Sequence, residues 1–287
     1  MKKLALTLAS LALLTGSAVA ADLAVKAPPM AAPVPVYNWT GFWISGGIGY
    51  GLADLDTRVT GATAPFAVFD TGHDLGARGW LGKVGAGFDY QFAGPLGSWV
   101  IGVFADGSWS NIKGQDSFLC SVGTCFGPFG FAGQQQNDWS WAVGGRLGYV
   151  VTPALLTYFN GGWTQSHWKQ VNWFDNDPAD AGVGFGTFTG LVKPSQTRNG
   201  WFIGGGTEYS FANSWLPIRG LFWKNEVRFS EFGNNTSNQI CTVSINVGCG
   251  AAASVHSLAR THIYEQAATT ELVYRFNWSG AGVVAKY

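Results

Sequence analysis

Charge is scarce in this sequence. Asp, Glu, Lys and Arg make up 12% of the 287 residues, about half the share usual in soluble proteins. No basic patch is present to neutralise phosphates, so nucleic-acid binding has no electrostatic basis. Long apolar runs are missing as well. Leu4 to Leu14 is too short for a spanning helix, which needs roughly 20 residues. No later run approaches roughly 18, which excludes a helical membrane protein. Cysteine is limited to two close pairs, Cys120 with Cys125 and Cys241 with Cys249. Neither spacing is the C-x2-C of a typical zinc site, and no histidine lies beside them in metal-ligand spacing. Four cysteines in an oxidising compartment suit disulfides. Cys120–Cys125 and Cys241–Cys249 are the preferred pairs among three connectivities, each pinning a loop.

The chain is rich in what remains, with 41 Gly, 14 Trp and 20 Phe. Residues 1–20 read as a signal peptide: Lys2 and Lys3, a short apolar stretch, then Ala18-Val19-Ala20 as the cleavage signal. Cutting after Ala20 leaves 15 Lys+Arg against 17 Asp+Glu. An exported chain that is poor in charge, rich in aromatics and without helical spans has one membrane solution. It closes a sheet into a barrel, so that no backbone group is unpaired in lipid.

Residues 21–38 carry Pro28, Pro29, Pro33 and Pro35 and read as an extended periplasmic leader. The barrel itself is expected over 39–278, with 279–287 as a C-terminal tail. Strand-like segments fall at 40–51, 79–92, 98–110, 138–150, 155–166, 199–211, 218–232 and 261–277, most with period-2 alternation. Short connections at 93–97, 151–154 and 212–217 alternate with long ones at 52–78, 111–137, 167–198 and 233–260. Short periplasmic turns and long extracellular loops alternate in this way in outer-membrane barrels. The expectation is all-β: an eight-stranded antiparallel transmembrane barrel, OmpA-like, with both termini periplasmic. Val183 to Val192 also alternates and would extend a strand or add a hairpin, so a ten-stranded count stays open.

Parity sorts the faces. Trp80, Val84, Phe88 and Tyr90 oppose Lys83 and Asp89, and Leu221, Trp223, Val227 and Phe229 oppose Lys224, Glu226 and Arg228. The apolar sets are expected to face lipid, because charge in hydrocarbon is costly. The inward set is then Lys83, Asp89, Asp106, Arg146, Glu208, Lys224, Glu226, Arg228, Glu271 and Arg275, five cations and five anions. An eight-stranded barrel is just wide enough for side chains to fill. A paired charge network and a plugged lumen follow, since unpaired buried charge is expensive. Aromatics near the short turns (Trp39, Phe42, Tyr90, Trp99, Tyr149, Tyr158, Tyr209) and near the long loops (Tyr50, Trp80, Trp109, Trp139, Trp163, Trp201, Tyr264) read as two interfacial girdles. Tyr158 and Trp163 differ in parity, which points to a bulge at Gly161-Gly162.

The segment Trp39-Thr40-Gly41-Phe42-Trp43-Ile44-Ser45-Gly46-Gly47-Ile48-Gly49-Tyr50-Gly51 resembles the first strand of the alphaproteobacterial outer-membrane immunogenic proteins, small porin-family surface antigens. Ile101-Gly102-Val103-Phe104-Ala105-Asp106 is similar to their G-V-E-x-D segment, departing at Phe104, where an acidic residue is usual. Tyr274-Arg275-Phe276-Asn277-Trp278 with Val283-Val284-Ala285-Lys286-Tyr287 is similar to a rhizobial branch. The resemblance covers essentially the whole chain after the signal peptide. It implies an outer-membrane location, a role in surface integrity and host-facing antigenicity, and no particular chemistry.

The functional expectation is a structural, surface-exposed barrel with no enzymatic activity, cofactor or metal. A porin-like channel for small solutes is the alternative, and an outer-membrane enzyme a more distant one. His73, His167, His256 and His262 are scattered, with no nucleophile motif. Gly46, Gly47 and Gly49 lie inside a strand with no helix following to bind phosphate. Asp175, Asp177 and Asp180 lack the rest of a calcium loop. Expected partners are outer-membrane lipid and lipopolysaccharide, the barrel-assembly machinery during insertion, and a host or surface ligand at the long loops.

Overall fold

The computed structural model describes residues 38–63, 67–120, 129–176, 186–211, 218, 220–242 and 255–276. They belong to one compact unit, Val36–Gly282. The segments expected as signal peptide, C-terminal tail and the short turn at 212–217 lie outside the described residues, as does the expected leader except Asn38.

Alternation of side chains along extended backbone produces ten strands: β1 Gly41–Thr63, β2 Ala67–Gly94, β3 Gly97–Cys120, β4 Phe129–Thr152, β5 Leu155–Trp168, β6 Val171–Asp175, β7 Phe188–Lys193, β8 Gln196–Ser210, β9 Leu221–Cys241 and β10 Val255–Phe276. All the pairings are antiparallel. They run β10-β1-β2-β3-β4-β5-β8-β9, and β9 pairs back to β10, closing a ring of eight. Closure leaves no sheet edge, which lipid would not tolerate.

The outward face carries the two girdles. At one end Phe42 meets Phe88 with ring centroids 4.8 Å apart, and Trp99 meets Tyr149 at 5.3 Å. At the other, Tyr50 meets Trp80 at 5.2 Å and Trp141 meets Trp163 at 4.8 Å. Ile44, Ile48, Val84, Ile101, Val103, Leu147 and Ile203 are exposed between them. Lipid supplies the apolar partner that water would not.

The strands run far past the outer girdle. A tilted span of roughly 9–11 residues crosses the hydrocarbon, yet β2 has 28 residues and β3 and β4 have 24 each. Most of 52–78, 111–137 and 233–260, expected as loop, is therefore strand. The side-chain pattern inverts at the girdle. Along β1, Phe42, Ile44 and Ile48 face out below it, whereas Asp54, Asp56 and Arg58 face out above it, with Leu55, Thr57 and Val59 inside. The outer solvent changes from lipid to water, so the same parity carries the opposite polarity.

The third long segment resolves the strand count. β5 breaks at 169–170 and continues as β6, and β7 breaks at 194–195 and continues as β8. β6 pairs with β4 and β7 with β9. The β6–β7 hairpin thus replaces β5–β8 in the wall above the membrane, and the ring counts eight at either height. Gly161 and Gly162 hold unbroken register with Gly145 and Gly144, so no bulge forms there. Tyr158 simply faces in and Trp163 out.

Candidate functional site

The lumen is built in layers, because each inward position repeats every second residue on eight strands. At the periplasmic end Trp39 packs on Phe222 at 4.9 Å, beside Val100 and Leu156. Trp39 and Tyr158, expected in a girdle, are instead buried in the lumen.

Above this floor sits a first charge cluster. Asp89 accepts from Arg146 and from Arg275, the latter at 2.6 Å. Glu208 accepts from Arg275 at 2.7 and 2.9 Å and from Arg146 at 3.4 Å. The guanidinium of Arg275 lies 4.9 Å from the Trp39 ring, and that of Arg146 lies 4.6 Å from Trp43. Planar guanidinium forks suit carboxylates and aromatic faces together. Gly102 makes room for this cluster, since a Cβ there would meet Asp89 Oδ1 at 2.0 Å.

A second cluster follows. Glu226 accepts from Lys83 at 2.8 Å, Arg228 at 2.8 Å, Tyr158 Oη at 3.0 Å and Asn160 Nδ2 at 2.8 Å. Glu271 lies 3.2 Å from both Lys83 and Lys224 and accepts from Ser45 at 2.7 Å. Asp106 accepts from Arg228 at 3.0 and 2.6 Å. All ten expected charges are thus brought together in two clusters. Phe104, standing where the related segment carries an acid, packs on Phe202 at 6.0 Å, and Arg228 lies 4.2 Å over Phe202.

Glu265 was missed by the sequence reading, although its parity in β10 matches Glu271. It lines a cavity of about 40 Å³ above the second cluster, with Lys83, Asp106, Glu226 and Arg228. Over that cavity lies an apolar layer: Leu55, Leu81, Ile112, Trp168, Phe232 and Ile263, all buried.

Above the apolar layer, beyond the outer girdle, the lumen turns polar again. His73 Nε2 and Asp116 Oδ1 lie 2.7 Å apart, and Gln135 donates to Asp116 Oδ2 at 2.9 Å. The hydrogen bond to Asp116 raises the His73 pKa. Burial pushes Asp116 up, but the bonds from His73 and Gln135 outweigh it and hold the carboxyl low. Nearby, Lys193 donates to Thr261 Oγ1 at 3.3 Å, and Arg198 donates to the Thr261 carbonyl at 2.7 Å and to Gln196 Oε1 at 2.7 Å. Burial, reinforced by Arg198, lowers Lys193 to about 8, and burial lowers Arg198 to about 10. The roof is a cluster of Phe131, Val171, Trp173, Leu191 and Cys241.

The remaining candidates do not assemble. His167 Nδ1 lies 2.6 Å from Asp138, and His262 Nε2 lies 3.0 Å from Glu231, at separate points of the outer rim. Asp175 is buried on β6, while Asp177 and Asp180 lie outside the described residues. The expected Cys120–Cys125 and Cys241–Cys249 pairings also involve positions outside them, as does the His256 side chain.

A closed eight-stranded ring with an apolar outer band, two aromatic girdles and a charged interior defines a small transmembrane β-barrel of the outer-membrane class. No family model matches the chain. It is 30% identical over 234 residues to the 31 kDa outer-membrane immunogenic protein of Brucella melitensis, covering 77% of this chain and 84% of that one. It is 24% identical over 261 residues to the 25 kDa outer-membrane immunogenic protein of Brucella abortus, covering 87% and 97%. OprG of Pseudomonas aeruginosa aligns at 11% identity and a TM-score of 0.42, over 84% of this chain and 98% of that chain. The chain belongs to the family of these alphaproteobacterial outer-membrane immunogenic proteins, and its location is the outer membrane.

Proposed function

We propose that this protein is a structural, surface-exposed barrel whose lumen is plugged and passes no solute. The observation that carries the reading is the pair of charge clusters that cross-link the wall from within. Lys83 joins β2 to β9 and β10, and Arg146 joins β4 to β2 and β8. A solute would have to break several buried ion pairs and then cross a layer of Leu, Ile, Trp and Phe. The 40 Å³ cavity between them has room for a few waters.

The long extracellular extension suits a surface antigen, as the names of the Brucella relatives suggest, and its strand ends and connections offer the exposed positions where recognition concentrates. Lipopolysaccharide around the girdle, the barrel-assembly machinery during insertion and a host or surface ligand at the outer end remain the proposed partners. The reading includes no catalysis: His73, His167 and His262 stand apart, each beside one carboxylate. It also has the chain exported and cut after Ala20.

A liposome-swelling assay with small sugars and amino acids tests the plug. Swelling at the rate of protein-free vesicles is expected, and solute-size-dependent swelling would replace this reading with the porin one. Lipase and protease assays on the folded protein should stay at background. N-terminal sequencing of the outer-membrane form should begin at Ala21.

A further inference from the structure

The two strand breaks leave a small chamber in the wall above the membrane. β5 ends at Trp168 and β6 starts at Val171, while β7 ends at Lys193 and β8 starts at Gln196. Both breaks fall at the same height, so the wall loses regular pairing there. The chamber behind it, about 10 Å³, is lined by Lys169, Lys193 and Arg198 together with Gln135, Gln196 and Trp168 among others. Three of the lining residues are cations and none is a carboxylate.

Two of these cations are buried and poorly satisfied. Lys193 is 4% exposed and Arg198 is 3% exposed. Lys193 has three donors, and its one hydrogen bond among the described residues reaches the Thr261 hydroxyl at 3.3 Å. Arg198 Nε is buried with no acceptor among the described residues. Neither cation has a carboxylate within ion-pair distance among the described residues. Asp116 feels Lys193 electrostatically, but its oxygens are occupied by His73 and Gln135. Gln196 Oε1 is used by Arg198. The chamber thus offers donors and positive charge, and no carboxylate lines it.

We propose that this chamber binds one small inorganic anion of halide size, held between Lys193 and Arg198, with Lys169 at the entrance. Size argues for a monatomic ion: a space near 10 Å³ accommodates about one water-sized particle. Charge argues against water alone, because a neutral ligand would leave two buried cations side by side with no ion pair, Asp116 acting on Lys193 only from beyond contact distance. Lowering of the Lys193 pKa reports the same unmet demand. The exposed Lys169 on the break provides an electrostatic path inward from the extracellular medium.

The test uses the full folded barrel in detergent or lipid. Crystals grown in sodium bromide should show an anomalous peak within hydrogen-bonding distance of Lys193 Nζ and Arg198 Nε. In solution, bromide should stabilise the fold over gluconate at equal ionic strength. The folding equilibrium constant should rise about fourfold when bromide reaches three times its dissociation constant. Lys193→Met and, separately, Arg198→Gln should each abolish the bromide-over-gluconate difference, and Lys193→Arg should keep it. No anomalous peak, or equal stability in the two salts, would overturn the proposal. Stabilisation by sulfate but not bromide would overturn it too, since an oxyanion is then the ligand.

Discussion

The lumen inside the membrane and the lumen above it are the same barrel with opposite electrostatic habits. Within the girdles, five cations and five anions neutralise each other through pairs of 2.6–3.4 Å, apart from a shorter Arg146–Asp89 contact and a longer Lys83–Asp106 contact of 3.7 Å. Above them, Lys193 and Arg198 are buried beside hydroxyls, amides and a carbonyl. The contrast follows from what surrounds each half. Hydrocarbon outside the lower wall supplies no polar compensation, so the ten clustered charges pair with one another. Glu265, without an ion pair among the described residues, lines the cavity beside them. Water outside the upper wall, together with the breaks at 169–170 and 194–195, lets an ion from solution serve as one.

One substitution made in both halves should therefore give effects of opposite sign. Lys83→Met removes a cation from Glu226, Glu271 and Asp106 at once. Taking one member from a buried network typically costs about 3–5 kcal/mol. That loss should appear in urea unfolding of the vesicle-inserted barrel and as earlier heat-modifiable mobility on gels. Lys193→Met deletes a charge with no carboxylate partner and replaces it with an apolar chain of similar length. At low halide it should be neutral or stabilising, by about 1 kcal/mol. A large loss from Lys193→Met would mean the upper cation is already paired and would erase the comparison.

Acidity sharpens the same contrast within the upper half, at smaller scale. The His73 pKa is raised in the fold, so its contribution to stability is fully present below the unfolded value of about 6.5. It is lost as pH rises through the folded value. Lys193 behaves oppositely. Its folded value of about 8 lies below the unfolded one, so stability should climb as pH rises from there. In unfolding titrations, His73→Gln should remove the first slope, worth a few tenths of a kcal/mol for a partly exposed pair. Lys193→Met should remove the second and leave the first.

The membrane half was largely legible because its chemistry is binary. Lys83, Glu226 and Glu271 alternate with Val84, Val227 and Leu272, and lipid permits one answer about which set faces in. Aromatics broke that rule. Trp39, Trp43, Phe104, Tyr158 and Phe202 are as apolar as the girdle, yet they line the lumen, where guanidiniums lie over their faces. The extracellular half was hard to read for another reason. Past Tyr50 the pattern inverts, with Asp54 and Arg58 outside and Leu55 and Val59 inside, so a search for apolar-out strands stops there. Lys193 and Arg198 fell in a segment read as loop, where cations are ordinarily solvated. The pairing of β7 with β6 and β9 puts Lys193 inside a wall, and that of β8 with β5 does the same for Arg198.

The central claim is that the charge clusters and the apolar layer above them close the lumen. Planar-bilayer recording of the purified, refolded barrel tests it most directly. The account predicts a flat current across the voltage range, with at most rare irregular spikes. Steady conductance steps of reproducible size, present in the wild-type barrel and scaling with salt, would contradict it.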